Sequence, residues 1–581
     1  MRDTYVPRPD FARDNWYSLN GTWQFAFDED RDKEEQEWLF NKLPKEILVP
    51  FTYQTPRSGI DISKMHNIIW YKREFAIPEP MFNKRIWLKF GAVDYRADVW
   101  CNGVYLGNHE GGYTPFEFEI TKHLKEKNEL LVKVTDYPDT AQPRGKQYWK
   151  EQTDRCWYIQ NSGIWQNVWL EATQGSPINN IKLTPDIDTN NVEAIVTIEE
   201  FKPGDLLEIE ISYKGTIVKS TTATIDGYRT KVMISLQAED FIDELHYWTP
   251  DTPNLYDMQV ELKRNEKLQD HIETYFGMRK ISIDNGRILL NNSPIYLKMI
   301  LDQGYWKESG LTAPDDDALR YDIEVTKAFG FNGARKHQKI EDPRYYYWAD
   351  RMGLLVWGEI PSAYEYCDKE ICNITRDLQE FIIRDYNHPS LITWVPLNES
   401  WGVRKILVDS CQQNFGKALY FMIKAMDSTR LVSTNDGWEN VYADIVGIHD
   451  YHTKGKEITD KYTEEALKHP ESIFPMGRRL FSFKETYQGE KSAFMITEYG
   501  GVALATDANE TNWGYGEAEQ GVDAVIARYA DVTKGIMEVE QIMGFCYTQL
   551  TDVYQEVNGL LTMDHIPKFN FEAIRNINNM R

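Results

Sequence analysis

Two glutamates stand out by their settings. Glu399 closes the run WVPLNE and Glu498 closes AFMITE, each directly after apolar residues that read as a buried strand. A carboxylate that follows such a strand without an intervening loop is held rigidly at its end. Two of them can flank one glycosidic bond. In a retaining reaction they lie roughly 5–5.5 Å apart, one serving as acid and then base, the other as nucleophile. Either glutamate alone can equally be a structural ion-pair partner; the pair together points to chemistry.

The elements that must position them begin after Phe276. Short apolar runs there alternate with helical patterns: IYLKMIL, FNGAR, LLVWG, LITWVPL, LVSTN, DIVGIH, AFMITE and MGFCYTQ. The helical stretch DDDALRYDIEVTKAFG opens on Asp315, Asp316 and Asp317, where the helix dipole favours anions, and Gly330 closes it. Eight such alternations over residues 279–581 predict a (β/α)8 TIM barrel rather than an open doubly wound sheet. Residues that act in such a barrel lie at the C-terminal ends of the strands. The eight ends supply Asp302 and Gln303; Arg335 and His337; Glu359; Asn398 and Glu399; Asn435 and Asp436; His449, Asp450 and Tyr451; Glu498; and Tyr547 and Gln549. This predicts a polar, carboxylate-rich mouth. Glu399 and Glu498, about three β-α units apart, should face each other across it.

Residues 1–173 read as alternating strands, with Asn102-Gly103 as a two-residue hairpin turn, and predict a β jelly roll. Residues 174–278 repeat the style at smaller size, in VEAIVTIEE, LLEIEISYK and LYDMQVEL, and predict an immunoglobulin-like β-sandwich. The aromatic share, 13% of 581 residues, suits several β-rich cores and equally suits a protein that packs sugar faces on rings.

The net charge of −25 and the lack of a Lys/Arg run argue against nucleic acid and anionic membranes as partners. No GxGxxG or Walker glycine pattern follows a strand. The N-terminal stretch has no apolar leader core, and no run of 18 apolar residues occurs, so a cytoplasmic protein is expected. The six cysteines are scattered without CxxC, and Cys367 and Cys372 lack companions at zinc spacing. No metal and no cofactor is expected. Oligomeric state stays open, a homo-oligomer included.

DYNHPSLITWVPLNES (Asp385 to Ser400) resembles the acid/base signature of glycoside hydrolase family 2, the family of β-galactosidases, β-glucuronidases and β-mannosidases. TEYGG (Thr497 to Gly501) resembles its nucleophile motif, and NGARKHQKIEDPRYYYWADRMGLLVWGE (Asn332 to Glu359) its other signature. The domain order fits as well. The resemblance implies Glu399 as acid/base, Glu498 as nucleophile and Asn398 as a ligand of the sugar 2-hydroxyl. It departs at Arg335-Lys336-His337-Gln338, where the family usually has Arg-x-Ser-His, and at Leu301-Asp302-Gln303-Gly304, usually Asn-x-His-Glu. Tyr547 stands for the strand-8 aromatic, often Trp. The Asn-x-Lys that reads a uronic carboxylate is missing from TQLTDVYQEVNGLL.

The expected activity is retaining, exo-acting hydrolysis of a small glycoside or oligosaccharide, first of all a β-galactoside. A glucuronide, a mannoside, another β-hexoside, a pentoside or an arabinoside are the alternatives, and a non-catalytic carbohydrate-binding protein is the rival of another class. Arg335 can pair with Glu498 and keep it ionised, and Tyr451 can hydrogen-bond it. His337, His449, Glu359 and Asp302 are candidate hydroxyl ligands or structural partners. Trp401 either stacks on a sugar or packs on the rim.

Overall fold

The computed structural model describes residues 6–28, 35–237, 245–481, 488–507 and 511–581; the first five residues, read above for a leader, lie outside the described residues. Among the described residues, no helix is long and apolar enough to cross a membrane.

The N-terminal part packs a four-stranded sheet against a six-stranded one around Trp23, Phe25, Tyr71, Leu88 and Val132. The Asn102-Gly103 turn joins the strands Arg96–Cys101 and Val104–Glu110, with φ of 52° and 83° at its two positions. Both values are positive, as a type I′ hairpin turn requires. The second part is a sandwich of three strands on four, closed over Ile181, Val196, Ile209, Val260 and Ile272. These are the jelly-roll and immunoglobulin-like layers that the alternating patterns predict.

The third part is the barrel. Its strands are β1 (Leu297–Asp302), β2 (Gly333–Lys336), β3 (Leu355–Glu359), β4 (Leu391–Val395), β5 (Leu431–Val432), β6 (Ile445–His449), β7 (Ala493–Gly500) and β8 (Ile542–Thr548). All pair in parallel, in the order β5-β4-β3-β2-β1-β8-β7-β6. The backbone bond from Asp444 N to Val432 O, 2.9 Å, bridges the remaining gap. Alternate strand residues face in: Leu297, Met299, Leu301, Trp357, Ile392, Ile445 and Met495 form the interior, plugged from below by Ile281, Ile288 and Leu290. The residues between them face the helices.

The helix α1 (Asp316–Ala328) starts where Asp315 accepts a bond from Ala318 N, and Gly330 N reaches Lys327 O just past its end. One expectation fails. The fifth unit has no helix, because residues 433–444 run straight from β5 to β6 as a loop. Its polar groups bond to one another and to the neighbouring strand-4 loop, which leaves the backbone no need of helical partners.

The domains are fastened by buried polar contacts. Trp248 Nε1 donates to Asp350 O at 2.7 Å and Tyr275 OH to Asp350 Oδ2 at 2.8 Å, tying the sandwich to the barrel. Arg13 joins the jelly roll to the sandwich, through Glu171 at 2.5 Å and Asp270 at 2.8 Å. Removing one member of a buried pair leaves its partners charged and unmatched, at a cost of about 3–5 kcal/mol. Arg13→Met should therefore lower the thermal unfolding midpoint markedly while leaving the barrel's own packing intact; an unchanged midpoint in differential scanning calorimetry would show that this junction carries little stability.

Candidate active site

Glu399 lies just beyond β4 in a left-handed conformation, φ 50°, and Ser400 follows at 54°. Non-glycine residues rarely adopt this, and it persists only where the surroundings over-determine it. The fifth loop does so here. Glu399 N donates to Asp436 O at 3.0 Å, Ser400 N to Asn435 Oδ1 at 2.9 Å, and Ser400 Oγ to Glu439 Oε2 at 2.5 Å.

Glu498 arrives differently. From Ala493 and Met495, strict alternation would turn Glu498 toward the helices with Phe494 and Ile496. The pairing with β6 slips by one residue after Ile448↔Ile496, so that His449 pairs with Glu498. The bulge turns the carboxylate into the mouth. A carboxylate oxygen of Glu498, one of Glu399 and a ring nitrogen of His449 all lie within 4.8 Å of one another.

Arg335 on β2 is wholly buried and organises the floor. Its Nε donates to Glu359 Oε2 at 2.8 Å, Nη1 to Glu498 Oε1 at 2.9 Å, and Nη2 to Asn398 Oδ1 at 2.6 Å. Asp436 Oδ2 lies 3.0 Å from Nη1. Tyr451 OH donates to Glu498 Oε2 at 2.6 Å, and its ring stacks on Tyr515 at 3.5 Å. Burial first, then the charge of Glu498, raises the Tyr451 phenol well above its ordinary value, so it stays a donor.

His449 faces carboxylates on both sides, Glu399 Oε1 at 2.8 Å from Nδ1 and Asp436 Oδ2 at 3.1 Å from Nε2. Both nitrogens therefore carry protons. Burial opposes the charge, but Glu498, Asp436 and Glu399 outweigh it and raise the imidazole to about 10. In return, against the effect of burial, the imidazolium holds Glu399 below its ordinary value. Gly437 lies against this ring: with φ at 91°, a Cβ there would come within 2.3 Å of the imidazole. Burial pushes Glu359 up to about 7 against the pull of Arg335. His337, 3.3 Å from Glu359, is held neutral by burial and by the charges of Lys146 and Arg335.

Glu399, His449 and Glu498 have the spacing of a cation site. Their electron pairs, however, already face the protonated imidazole, the guanidinium of Arg335 and the phenol of Tyr451.

Eight of the eleven expected site residues thus meet in one cluster: Glu399, Glu498, Asn398, Arg335, His337, His449, Tyr451 and Glu359. Trp401 lies on the rim among Trp157, Tyr364 and Trp438, at ring separations of 5.3, 5.5 and 6.3 Å. Two expectations are corrected. Asp302 points outward with Lys336, its oxygens taken by Lys336 Nζ and Gly304 N at 2.8 Å each. Tyr547 also points outward, packing on Tyr499 and Tyr529, because alternation on β8 turns Cys546 inward and Tyr547 to the helices. Thr548, 3.2 Å from the Tyr451 hydroxyl, is the β8 residue that reaches the cluster.

Asp436 was legible at the end of its strand but not singled out. Other contributors had no signal in the barrel pattern, because they come from the jelly roll: Lys146, Trp157 and Tyr158, whose hydroxyl donates to Glu556 at 2.6 Å.

The description "Glycosyl hydrolases family 2, TIM barrel domain" matches residues 281–579, "sugar binding domain" of that family matches 16–173, and the family's own description matches 176–279. The chain belongs to glycosyl hydrolases family 2. It is 28% identical over 347 residues to a β-galactosidase of Thermoanaerobacter pseudethanolicus, covering 57% of this chain and 45% of that one. It is 26% identical over 426 residues to a β-glucuronidase of Streptococcus agalactiae, covering 66% of each. The chain thus spans about half to two thirds of the length of these curated relatives. A β-glucuronidase of an uncultured Clostridium shares the fold, with a TM-score of 0.78, 22% identity, and 98% of this chain and 99% of that one covered.

Within this family 2 site, the His449 charge sets a pH signature. An imidazole raised to about 10 contributes stability that is fully present below 6.5 and is lost as pH rises through 10. The stability gap between wild type and His449→Gln should be widest below pH 6.5 and narrow toward pH 10 in thermal melts. A gap constant across that range would mean a neutral imidazole.

Proposed function

We propose that this chain is a retaining, exo-acting glycosidase that removes a terminal β-linked sugar. Glu399 is the acid/base and Glu498 the nucleophile. The observation that carries this reading is the approach of their carboxylates to within 4.8 Å, close to the separation of retaining pairs and too short for a water to attack from the far face.

Arg335 and Tyr451 each donate to an oxygen of Glu498 and aim it at the anomeric carbon. Attack forms a glycosyl-enzyme as the C1–O bond breaks. The leaving oxygen takes a proton from Glu399, and Glu399 then accepts one from the water that releases the sugar, with retention. In the resting site that proton resides on His449, whose Nδ1 touches Glu399 Oε1 at 2.8 Å. The two groups titrate as a pair, and transfer along this bond supplies the acid form. Asn398, with Oδ1 taken by Arg335, keeps its NH2 to donate to a sugar hydroxyl.

A neutral sugar, first of all a β-galactoside, is favoured over a uronide. Where the loop after β8 would need a cation to read a carboxylate, it presents Glu556 and Asn558, with Glu556 buried. On the leaving-group side, Trp401 and Trp157 offer half-buried ring faces next to Glu399.

A panel of nitrophenyl glycosides tests the reading. One β-glycoside, expected to be the galactoside, should be hydrolysed with retention at the anomeric carbon as seen by NMR of the first product. Glu498→Ala should abolish turnover, and Glu399→Ala should slow it by about 10²–10⁴-fold. An inverted first product would remove Glu498 from its role. A panel left wholly intact would favour the binding-only reading.

A further inference from the structure

Four lysines are buried among the described residues: Lys72, Lys146, Lys336 and Lys339. Three of their ammonium groups each have at least two acceptors. Lys72 donates to the carbonyls of Trp38, Leu39 and Asn41 and pairs with Glu129; Lys336 pairs with Asp302 and Glu341; Lys339 donates to Gly304 O and Leu311 O and pairs with Glu341. Lys146 is only 8% exposed; its Nζ makes no hydrogen bond or ion pair among the described residues and is not fully enclosed, so it opens onto the mouth. Its donors are therefore open to whatever occupies the mouth.

Its backbone is firmly placed. Arg144 N and Gly145 N both donate to Ser362 O at 3.0 Å, and Tyr158 N donates to Lys146 O at 2.7 Å. Gly145, at φ 59°, presses on the loop after β2 so closely that a Cβ would come within 2.3 Å of Gln338 O. The jelly-roll segment therefore delivers this lysine into the barrel mouth. Glu498, Glu399, Glu359, His337 and Glu556 all feel its charge there. Burial opposes that charge, but Cys156, Glu556, Tyr364 and Glu498 together hold the ammonium above its ordinary value.

We propose that Lys146 is a specificity-determining residue of the N-terminal domain, whose ammonium donates to ring hydroxyls of the terminal sugar held against Glu498. The inference rests on the glycosidase reading above and extends it to a residue outside the barrel. Glu556, fixed by Tyr158 at 2.6 Å and Asn558 at 3.2 Å, is the complementary acceptor. An ammonium and a carboxylate flanking one sugar read a diol: one donates to its oxygens and the other accepts its protons. A substrate carboxylate would bring a further anion beside Glu556 and Glu498.

The test compares wild type, Lys146→Met and Lys146→Arg on 4-nitrophenyl β-D-galactopyranoside, its 3-, 4- and 6-deoxy analogues and the β-D-glucuronide. A charged hydrogen bond corresponds to about a 10- to 100-fold change. Lys146→Met should lower kcat/KM on the parent galactoside by that factor, with Lys146→Arg intermediate. At least one deoxy analogue, already that much poorer for wild type, should lose nothing further in Lys146→Met. A uniform loss on every analogue would indicate a merely structural role and overturn the proposal, as would an unchanged parent rate. A wild-type preference for the glucuronide that Lys146→Met abolishes would overturn it in favour of a carboxylate receptor. If wild type hydrolyses nothing here or on the wider nitrophenyl glycoside panel, the glycosidase reading fails by itself. Calorimetric titration of D-galactose into wild type and Lys146→Met then decides the proposal, which falls if the two affinities are equal or if neither protein binds.

Discussion

The guanidinium of Arg335 is the point from which the mouth is built. It is wholly buried, and it meets Glu359, Glu498, Asp436 and Asn398 from four different strand ends. A buried guanidinium is tolerated only when its donors are met by well-placed acceptors. That requirement works in both directions. The four acceptors hold Arg335 charged, and Arg335 fixes where each of them points. Glu498 is held in place because it is one corner of this arrangement. Asn398 is fixed through its amide oxygen, which accepts from Arg335.

Around this centre, charge alternates at hydrogen-bond distance. His449 lies between Glu399 and Asp436 and is protonated by their company. The loop after β5 supplies Asp436 and, through Asn435 and Glu439, the bonds that hold Glu399 and Ser400 in left-handed backbone. Such strain costs of order 1–3 kcal/mol per residue and is tolerated where neighbours leave no alternative. The unit without a helix is thus the unit that fixes Glu399. A helix there would have consumed the polar groups that do so.

The barrel alone does not complete the site. Lys146, Trp157 and Tyr158 come from a jelly-roll segment pinned to the loops after β2, β3 and β8. Domain packing is therefore part of the site's geometry. The sandwich contributes from below, fastening the barrel through Asp350.

Much of this was legible in the amino-acid order. Strand periodicity identified two β-rich layers and the eight barrel strands, and the polar residue after each strand identified most of the mouth, Arg335, Glu399, His449 and Glu498 among them. Facing was not legible everywhere. Asp302 and Tyr547 stand at strand ends as Arg335 does, yet both point to the helices, and Glu498 faces inward only because its strand carries a bulge. Side chains in a strand alternate between two faces, so a one-residue slip in pairing reverses their direction, and that slip depends on the neighbouring strand. The jelly-roll contribution lay further still from any local pattern. Lys146 and Glu498 are far apart in the chain, and only the packing of one domain on another brings the ammonium to the carboxylates.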